Sequence, residues 1–346
     1  MKKKILIIEV NWLGDVLFST PFIRAVRDAN PDGYIACLVH PRCVEVLEGN
    51  SAINEIIIYD EGGLHRGALG KLKLILSLRR KHFDTVYILH RSFTKALIGY
   101  LTGARERIGY PTKNRGGLLT KAVEEPDIGA HSADIFLNLA GETPAAKERR
   151  YEFFVKDADR RYVRDLLSVR GIGVDDKFIA LCPGGNWDPK RWPKENFAAL
   201  SDMLARNNGV KIVITGGAKE SGLAESIRSM MKTPAVVTCG DTTLKQLGAI
   251  FEKSSLVVAN DTGSMHIAVA AGAKVVALFG PTSPEMTGPY GAGNYRVVRS
   301  SIECEVPCYD VACRDNRCMK AISVEEVFAQ AVDILDKNSK TKVLNL

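Results

Sequence analysis

Leu256-Val257-Val258-Ala259-Asn260-Asp261-Thr262-Gly263-Ser264-Met265-His266 is the stretch on which the fold turns. The short apolar run Leu256–Ala259 has the make-up of a strand buried on both faces of a parallel sheet. A polar turn follows it, and an Ala-rich helical pattern begins at Gly263. Strand, turn and helix together make one βα unit, and open α/β sheets bind ligands in the loops after their strands. Free backbone N–H groups at the helix start make a natural anion site, with Gly263 permitting close approach. Thr262 and His266 are four apart and share a helix face. Together they can hold a diphosphate. Asp261 repels phosphate, so a sugar hydroxyl or helix capping suits it better. His266 standing alone would read as a satisfied buried histidine; beside a Thr-Gly helix start, a ligand contact gains the edge.

The same pattern recurs along the chain. Candidate strands are Ile5–Val10, Tyr34–Val39, Glu55–Tyr59 and Thr85–Leu89, then Phe178–Cys182, Lys211–Thr215, Ala235–Cys239 and Lys274–Phe279. Helical patterns separate them, among them Lys194–Arg206, Leu244–Glu252 and Ser323–Leu335. Repeated βα units predict an α/β protein with doubly wound parallel sheets. The series breaks over 141–177, where a polar stretch with Thr143-Pro144 precedes Gly171-Ile172-Gly173. The expected domains are therefore 1–165 and 175–346, the second ending in a Cys-rich stretch, a helix and a frayed tail over 337–346.

The 346 residues are 46% hydrophobic and 25% charged, the balance of a soluble globular protein with chain enough for two cores. That composition excludes a fibrous or mainly disordered chain. The apolar stretch Ile267–Phe279 is broken by Lys274 and falls short of the roughly 20 residues of a membrane span. Lys2-Lys3-Lys4 before Ile5–Ile8 mimics a signal peptide, but Glu9, Asn11 and Asp15 interrupt the apolar region, so a cytoplasmic protein is expected. The net charge of +7 is unevenly spread, with 27 basic and 21 acidic residues over 1–170. Between Gly62 and Lys121 stand 13 basic residues and only two acidic ones, Asp84 and Glu106. Such a patch attracts polyanions, although a solvated basic face explains it as well. No nucleic-acid-binding module accompanies it.

Four further loops carry candidate chemistry. Asn11-Trp12-Leu13-Gly14-Asp15 follows the first strand, placing Asp15 near a helix start. There it either caps the helix or acts as a general base toward an acceptor hydroxyl. Pro183-Gly184-Gly185-Asn186-Trp187-Asp188-Pro189-Lys190-Arg191-Trp192-Pro193 follows Phe178–Cys182. Gly184 and Gly185 allow close backbone approach to a ligand, and Lys190 or Arg191 can neutralise a phosphate. Gly216-Gly217-Ala218-Lys219-Glu220 offers Glu220 to ribose hydroxyls or to a helix first turn. Gly280-Pro281-Thr282-Ser283-Pro284 would lie in the same crevice. A Gly-x-Gly-x-x-Gly dinucleotide fingerprint is absent, which disfavours an NAD-linked oxidoreductase.

Asn11–Val16, Lys190-Arg191-Trp192-Pro193 and Asn260–His266, in this order, resemble the family 9 glycosyltransferases, the bacterial ADP-heptose:lipopolysaccharide heptosyltransferases. Ser92–Leu97, Arg107-Ile108-Gly109-Tyr110 and Arg115–Leu119 are most similar to the heptosyltransferase II branch. The resemblance implies a GT-B fold, two Rossmann-like domains facing a cleft, the first binding the acceptor and the second the ADP-sugar. It implies an inverting transfer of L-glycero-D-manno-heptose from ADP-heptose onto the lipopolysaccharide inner core, with no metal or other cofactor. Asp15 then matches the catalytic base, Lys190 the donor diphosphate contact, and Asp261, Thr262, Gly263 and His266 the donor loop. Gly184, Gly185 and Glu220 complete the expected donor contacts. The partners implied are ADP-heptose, the inner-core acceptor and the cytoplasmic leaflet of the inner membrane, with nucleic acid excluded. Lys95, Arg107, Lys113 and Arg115 become candidates to meet the anionic acceptor. Rival assignments are a heptosyltransferase I or III with another acceptor, a nucleotide-sugar isomerase, and a non-catalytic sugar-binding scaffold. Cys304, Cys308, Cys313 and Cys318 are spaced more loosely than usual zinc ligands and either hold a structural metal or stay reduced. Cys37, Cys43, Cys182 and Cys239 read as small core residues.

Overall fold

The computed structural model describes residues 2–127, 129–141 and 150–336; the expected tail at 337–346 lies outside the described residues. The chain divides into two compact units, Met1–Phe154 and Val155–Leu346. This boundary precedes the expected one at 165, because helix Asp157–Val169 buries Val163 and Leu167 in the second unit, packed with helix Leu244–Lys253.

The first unit runs β1 (Lys4–Ile8), α1 (Leu13–Ala29), β2 (Tyr34–Val39), α2 (Val44–Leu47), β3 (Glu55–Ile58), α3 (Gly67–Arg79), β4 (Thr85–Ile88), α4 (Phe93–Leu101), β5 (Glu106–Gly109), β6 (Lys121–Ala122) and α5 (Ser132–Ala140). The second runs α6 (Asp157–Val169), β7 (Phe178–Cys182), α7 (Lys194–Asn208), β8 (Lys211–Ile214), α8 (Ser221–Met230), β9 (Ala235–Val237), α9 (Leu244–Lys253), β10 (Leu256–Asn260), α10 (Gly263–Ala270), β11 (Val275–Phe279), α11 (Pro284–Thr287), β12 (Tyr295–Arg299), α12 (Arg317–Lys320) and α13 (Val324–Asp336). Each unit holds a six-stranded parallel sheet, ordered β3-β2-β1-β4-β5-β6 in the first and β12-β11-β10-β7-β8-β9 in the second. The expected doubly wound α/β architecture is present in both. Strand order reverses between β1 and β4, and again between β7 and β10, and such reversals open a crevice at the strand ends.

The expected strands are all present, and β7 and β11 are buried at every residue, as apolar runs covered on both faces must be. Strands β5, β6 and β12 escaped the sequence pattern. They lie at or next to sheet edges, where Glu106, Arg107, Lys121, Arg296 and Arg299 are tolerated inside a strand. Cys37, Cys43, Cys182 and Cys239 are buried, as expected. Helix α1 contains Pro21, which has no N–H for the Leu17 carbonyl. The Thr20 hydroxyl donates to that carbonyl at 2.7 Å and accepts from the Glu152 N–H at 2.9 Å, so the helix tolerates the proline.

Helices α3 and α4 cover one face of the first sheet, because the β3-to-β4 and β4-to-β5 crossovers run in the same direction and share one hand. Leu74, Leu78, Ala96 and Ile98 pack there against Leu6, Ile8, Leu38, Val86 and Ile88. A leucine so buried contributes about 1.5–3 kcal/mol. Both helices are apolar on the opposite side too: Leu69, Leu72 and Leu76 on α3 are exposed, as are Phe93, Leu97 and Tyr100 on α4. Among the described residues no helix is long and apolar enough to cross a membrane.

Directly after β1, Glu9 is fully buried, and among the described residues neither carboxyl oxygen has a hydrogen-bond partner. Burial pushes its pKa from 4.5 up to about 8, a rise that neighbouring Ser19 and the charge of Lys95 only partly oppose. The folded state therefore holds a proton that the unfolded chain releases near 4.5. Its contribution to stability is complete below that pH and is lost as pH rises through about 8. In Glu9→Gln the fall in melting temperature between pH 5 and 9 should flatten; an unchanged pH profile by scanning calorimetry would show that Glu9 is already ionised.

Candidate functional site

In the second unit the loops after β7, β10 and β11 converge at the strand-order reversal. Asn260, at the end of β10, is fully buried and organises them. Its Nδ2 donates to the carbonyls of Pro183 at 2.8 Å and Gly184 at 3.1 Å. Its Oδ1 accepts the Trp192 N–H at 3.2 Å, so one carboxamide grips both ends of the 183–193 loop. The indole N–H of Trp192 donates to the Ile322 carbonyl at 2.9 Å, and Arg191 closes the loop by donating to the Gly185 carbonyl.

Within this frame Lys190 Nζ lies 2.7 Å from Asp261 Oδ2. The same carboxylate oxygen accepts the Thr282 hydroxyl at 2.6 Å, and Oδ1 lies 3.8 Å from His266 Nε2. Asp261 and His266 are buried. Asp261 does not cap α10, whose cap position is Thr262, with no capping bond from its side chain. Its carboxylate holds the Lys190 ammonium just ahead of α10. Gly263 is the first residue of α10, so the N–H groups of the first helical turn open beside Thr262. Glu220 packs against Gly184 so closely that a Cβ there would sit 2.8 Å from Oε1, and the Glu220 side chain would have to shift. Its Oε2 accepts the Gly217 N–H at 2.5 Å, the capping role weighed above, and the contact with Gly184 brings it into the same loop cluster. Gly185 is buried, its carbonyl turned to Arg191.

In the first unit the loop after β1 is held with equal care. The Asn11 carbonyl accepts from Arg42 Nε at 2.7 Å and Cys43 Sγ at 3.3 Å, and the Arg42 guanidinium lies 4.1 Å from the centre of the Trp12 ring. The Asn11 side chain bridges Glu61 Oε1 and Lys95 Nζ, each at 3.2 Å. Lys95 is buried, 2.9 Å from Glu61 and 4.2 Å from the Tyr59 ring centre. Asp15 is the third residue of α1, whose cap position is Trp12, so it does not occupy the cap itself. Burial and the charge of Lys95 push His90 down to about 4, so it is neutral at physiological pH.

Two expected acceptor cations are corrected. Lys95 is buried and paired with the partly exposed Glu61, and Arg115 is fully buried, donating to the carbonyls of Tyr110 and His90. Their charges were counted correctly, but their partners come from distant segments. Arg107 is half-buried, binding the Leu118 and Ala104 carbonyls, whereas Lys113 is exposed. Asn260 is the residue that sequence reasoning passed over; the signal was a carboxamide closing an apolar strand. Cys304, Cys308, Cys313 and Cys318 are free thiols, and among the described residues no group of three or more His, Cys, Asp or Glu is gathered for a metal.

Asn260→Ala would strand two buried carbonyls and one N–H, at ~1–3 kcal/mol for each unsatisfied group. Asn260→Asp keeps the acceptor but loses the donor. Chemical denaturation should rank wild type above Asp above Ala; equal stability of all three would remove the carboxamide from its organising place.

A model of glycosyltransferase family 9 (heptosyltransferase) matches residues 71–318. Lipopolysaccharide heptosyltransferase 2 of Salmonella typhimurium is 30% identical over 313 residues, covering 86% of this chain and 88% of that protein. Among solved structures, a family 9 glycosyl transferase from Veillonella parvula superposes with a TM-score of 0.89 at 25% identity, covering 97% of this chain and 98% of that one. The ADP-heptose LPS heptosyltransferase II of E. coli superposes with a TM-score of 0.79 at 26% identity, with the same coverage. With the doubly wound sheets, the matched span and the superposed structures in agreement, the chain belongs to glycosyltransferase family 9, the heptosyltransferases, and is an enzyme of the GT-B class.

Proposed function

We propose that this enzyme transfers L-glycero-D-manno-heptose from ADP-heptose to the first heptose of the lipopolysaccharide inner core, the heptosyltransferase II reaction. The single observation that carries the donor half is the Lys190–Asp261–Thr282 cluster beside the start of α10. The acceptor half rests on the relatives, which carry the heptosyltransferase 2 name over most of the chain. Asp15 removes the proton of the acceptor hydroxyl as its oxygen attacks the anomeric carbon from the face opposite ADP. The glycosidic carbon–phosphate oxygen bond breaks, configuration inverts, and the departing diphosphate gains negative charge. Lys190, Thr262, His266 and the N–H groups near Gly263 meet that charge, and Glu220 would have to release the Gly217 N–H to receive a ribose hydroxyl. Preorganised donors of this kind stabilise developing charge without a metal or other cofactor.

Removing a positioned general base slows turnover by ~10²–10⁴-fold. Asp15→Ala should show that loss while its ADP affinity and melting temperature stay at wild-type values. Normal turnover, or a lowered melting temperature alone, would return Asp15 to a helix-stabilising role. Acceptors carrying zero, one or two heptoses, followed by mass spectrometry, identify the branch. A mass gain confined to the one-heptose acceptor is expected; a gain on another acceptor points to heptosyltransferase I or III, and none on any acceptor sinks the transfer.

The outer faces of α3 and α4 fit contact with the anionic cytoplasmic leaflet, where the lipid-anchored acceptor would be met. Leu69, Leu72, Leu76, Phe93, Leu97 and Tyr100 are exposed there, interleaved with Lys73, Arg79 and Arg80. Interfacial helices pair such apolar stripes with basic residues, each worth about 1 kcal/mol near an anionic surface. The wild type should sediment with phosphatidylglycerol vesicles, less so in high salt, and Leu69→Glu with Leu72→Glu should stay in the supernatant. Equal sedimentation of both proteins would discount this face.

A further inference from the structure

Tyr309 is 65% exposed, yet its ring stands edge-on to Trp187, with centroids 6.4 Å apart and planes at 79°. The indole in turn faces Lys190, whose Nζ lies 5.0 Å from the ring centroid. The same ammonium is the one held 2.7 Å from Asp261. Three separate stretches of chain thus meet at one cation: the Cys-rich stretch through Tyr309, the 183–193 loop, and the end of β10.

The Cys-rich stretch is fastened against those loops rather than draped over them. The Cys308 N–H donates to the Pro281 carbonyl at 2.7 Å, one residue before the Thr282 that binds Asp261. Asn316 Nδ2 donates to the Arg191 carbonyl at 3.3 Å. Cys318 and Met319 close over Gly280, where a Cβ would lie 3.1 Å from one sulfur and 2.5 Å from the other. Tyr309 is therefore presented from a fixed base. Trp187 is the cap of a single 3-10 turn, Asp188–Lys190, and no side-chain hydrogen bond caps that turn. An indole face attracts an ammonium, so the orientation of the ring helps to set where the charge rests. A second ring at its edge, in the favoured T-shaped geometry, holds that orientation.

We propose that Tyr309 is a positioning residue for the reaction, holding Trp187 so that its face keeps Lys190 aimed at the donor diphosphate. The Cys-rich stretch is then the arm that carries this ring to the donor loops. The proposal deepens the assignment of Lys190 to the ADP diphosphate and rests on it.

The test is steady-state kinetics with ADP-heptose varied, on Tyr309→Ala, Tyr309→Phe, Lys190→Ala and the Tyr309→Ala/Lys190→Ala pair. Tyr309→Ala should lower kcat/KM for the donor by about threefold to tenfold, the scale of one aromatic pair. Acceptor KM and melting temperature should not move, Tyr309→Phe should restore wild-type kinetics, and the pair should be no slower than Lys190→Ala alone. Wild-type kinetics in Tyr309→Ala, no rescue by phenylalanine, or independent losses in the pair each overturn the proposal. Two failures are separable. A slow Lys190→Ala beside a normal Tyr309→Ala defeats the positioning role only. A normal Lys190→Ala defeats the diphosphate assignment, and the positioning role with it.

Discussion

The loop cluster of the second unit depends on the hydrogen bonds of one buried carboxamide. At the end of a parallel strand the backbone leaves the sheet, and its polar groups lose their ladder partners while still buried. Asn260 supplies those partners to Pro183, Gly184 and Trp192 from the neighbouring strand. Both ends of an eleven-residue loop are thereby fixed to β10, and the loop's reach is set by covalent geometry. Lys190 falls within that reach of Asp261, the next residue after Asn260, so the ion pair follows from the staple. A charged pair of low exposure is weak evidence for stability. Its value lies in keeping an ammonium ready beside a helix start that already favours anions.

The first unit solves the same topological problem with different chemistry. There too an asparagine follows a central strand at the reversal of strand order, but Asn11 is held by Glu61 and Lys95 rather than by backbone groups. Burying a lysine demands a countercharge and a polarisable wall, which Glu61 and the Tyr59 ring provide. The loop ahead of Asp15 is thus stiffened by charge, whereas the two ends of the loop carrying Lys190 are pinned by a neutral carboxamide.

Much of this was legible from residues alone. Phe178–Cys182 and the apolar run closed by Phe279 could hardly be anything but central strands, because every position is apolar and branched or small. Glu106–Gly109 and Tyr295–Arg299 hid themselves, since strands toward the sheet margin need only one covered side and carry charges freely. Lys190, Asp261, Thr262 and Glu220 stood out as polar residues in loops after strands, but not as bonded partners, because their pairing depends on how far apart two loops are in space. Lys95 and Arg115 show the opposite error. A count of basic residues treats each as a surface charge, and only the fold reveals Glu61, Tyr110 and His90 waiting inside. Asn260 escaped because an asparagine at a strand end looks like an ordinary turn residue.

Helix α3 has leucines on both sides, and its outward side alternates them with Lys73 and Arg79, Arg80 following at its end. Two molecules meeting through this face would bring like charges together before the leucines could touch. The repulsion acts over about 10 Å at 0.1 M salt, longer than the reach of apolar contact. The arrangement is therefore a colloidal filter: it discourages self-stacking in free solution and relaxes only against a surface of opposite sign.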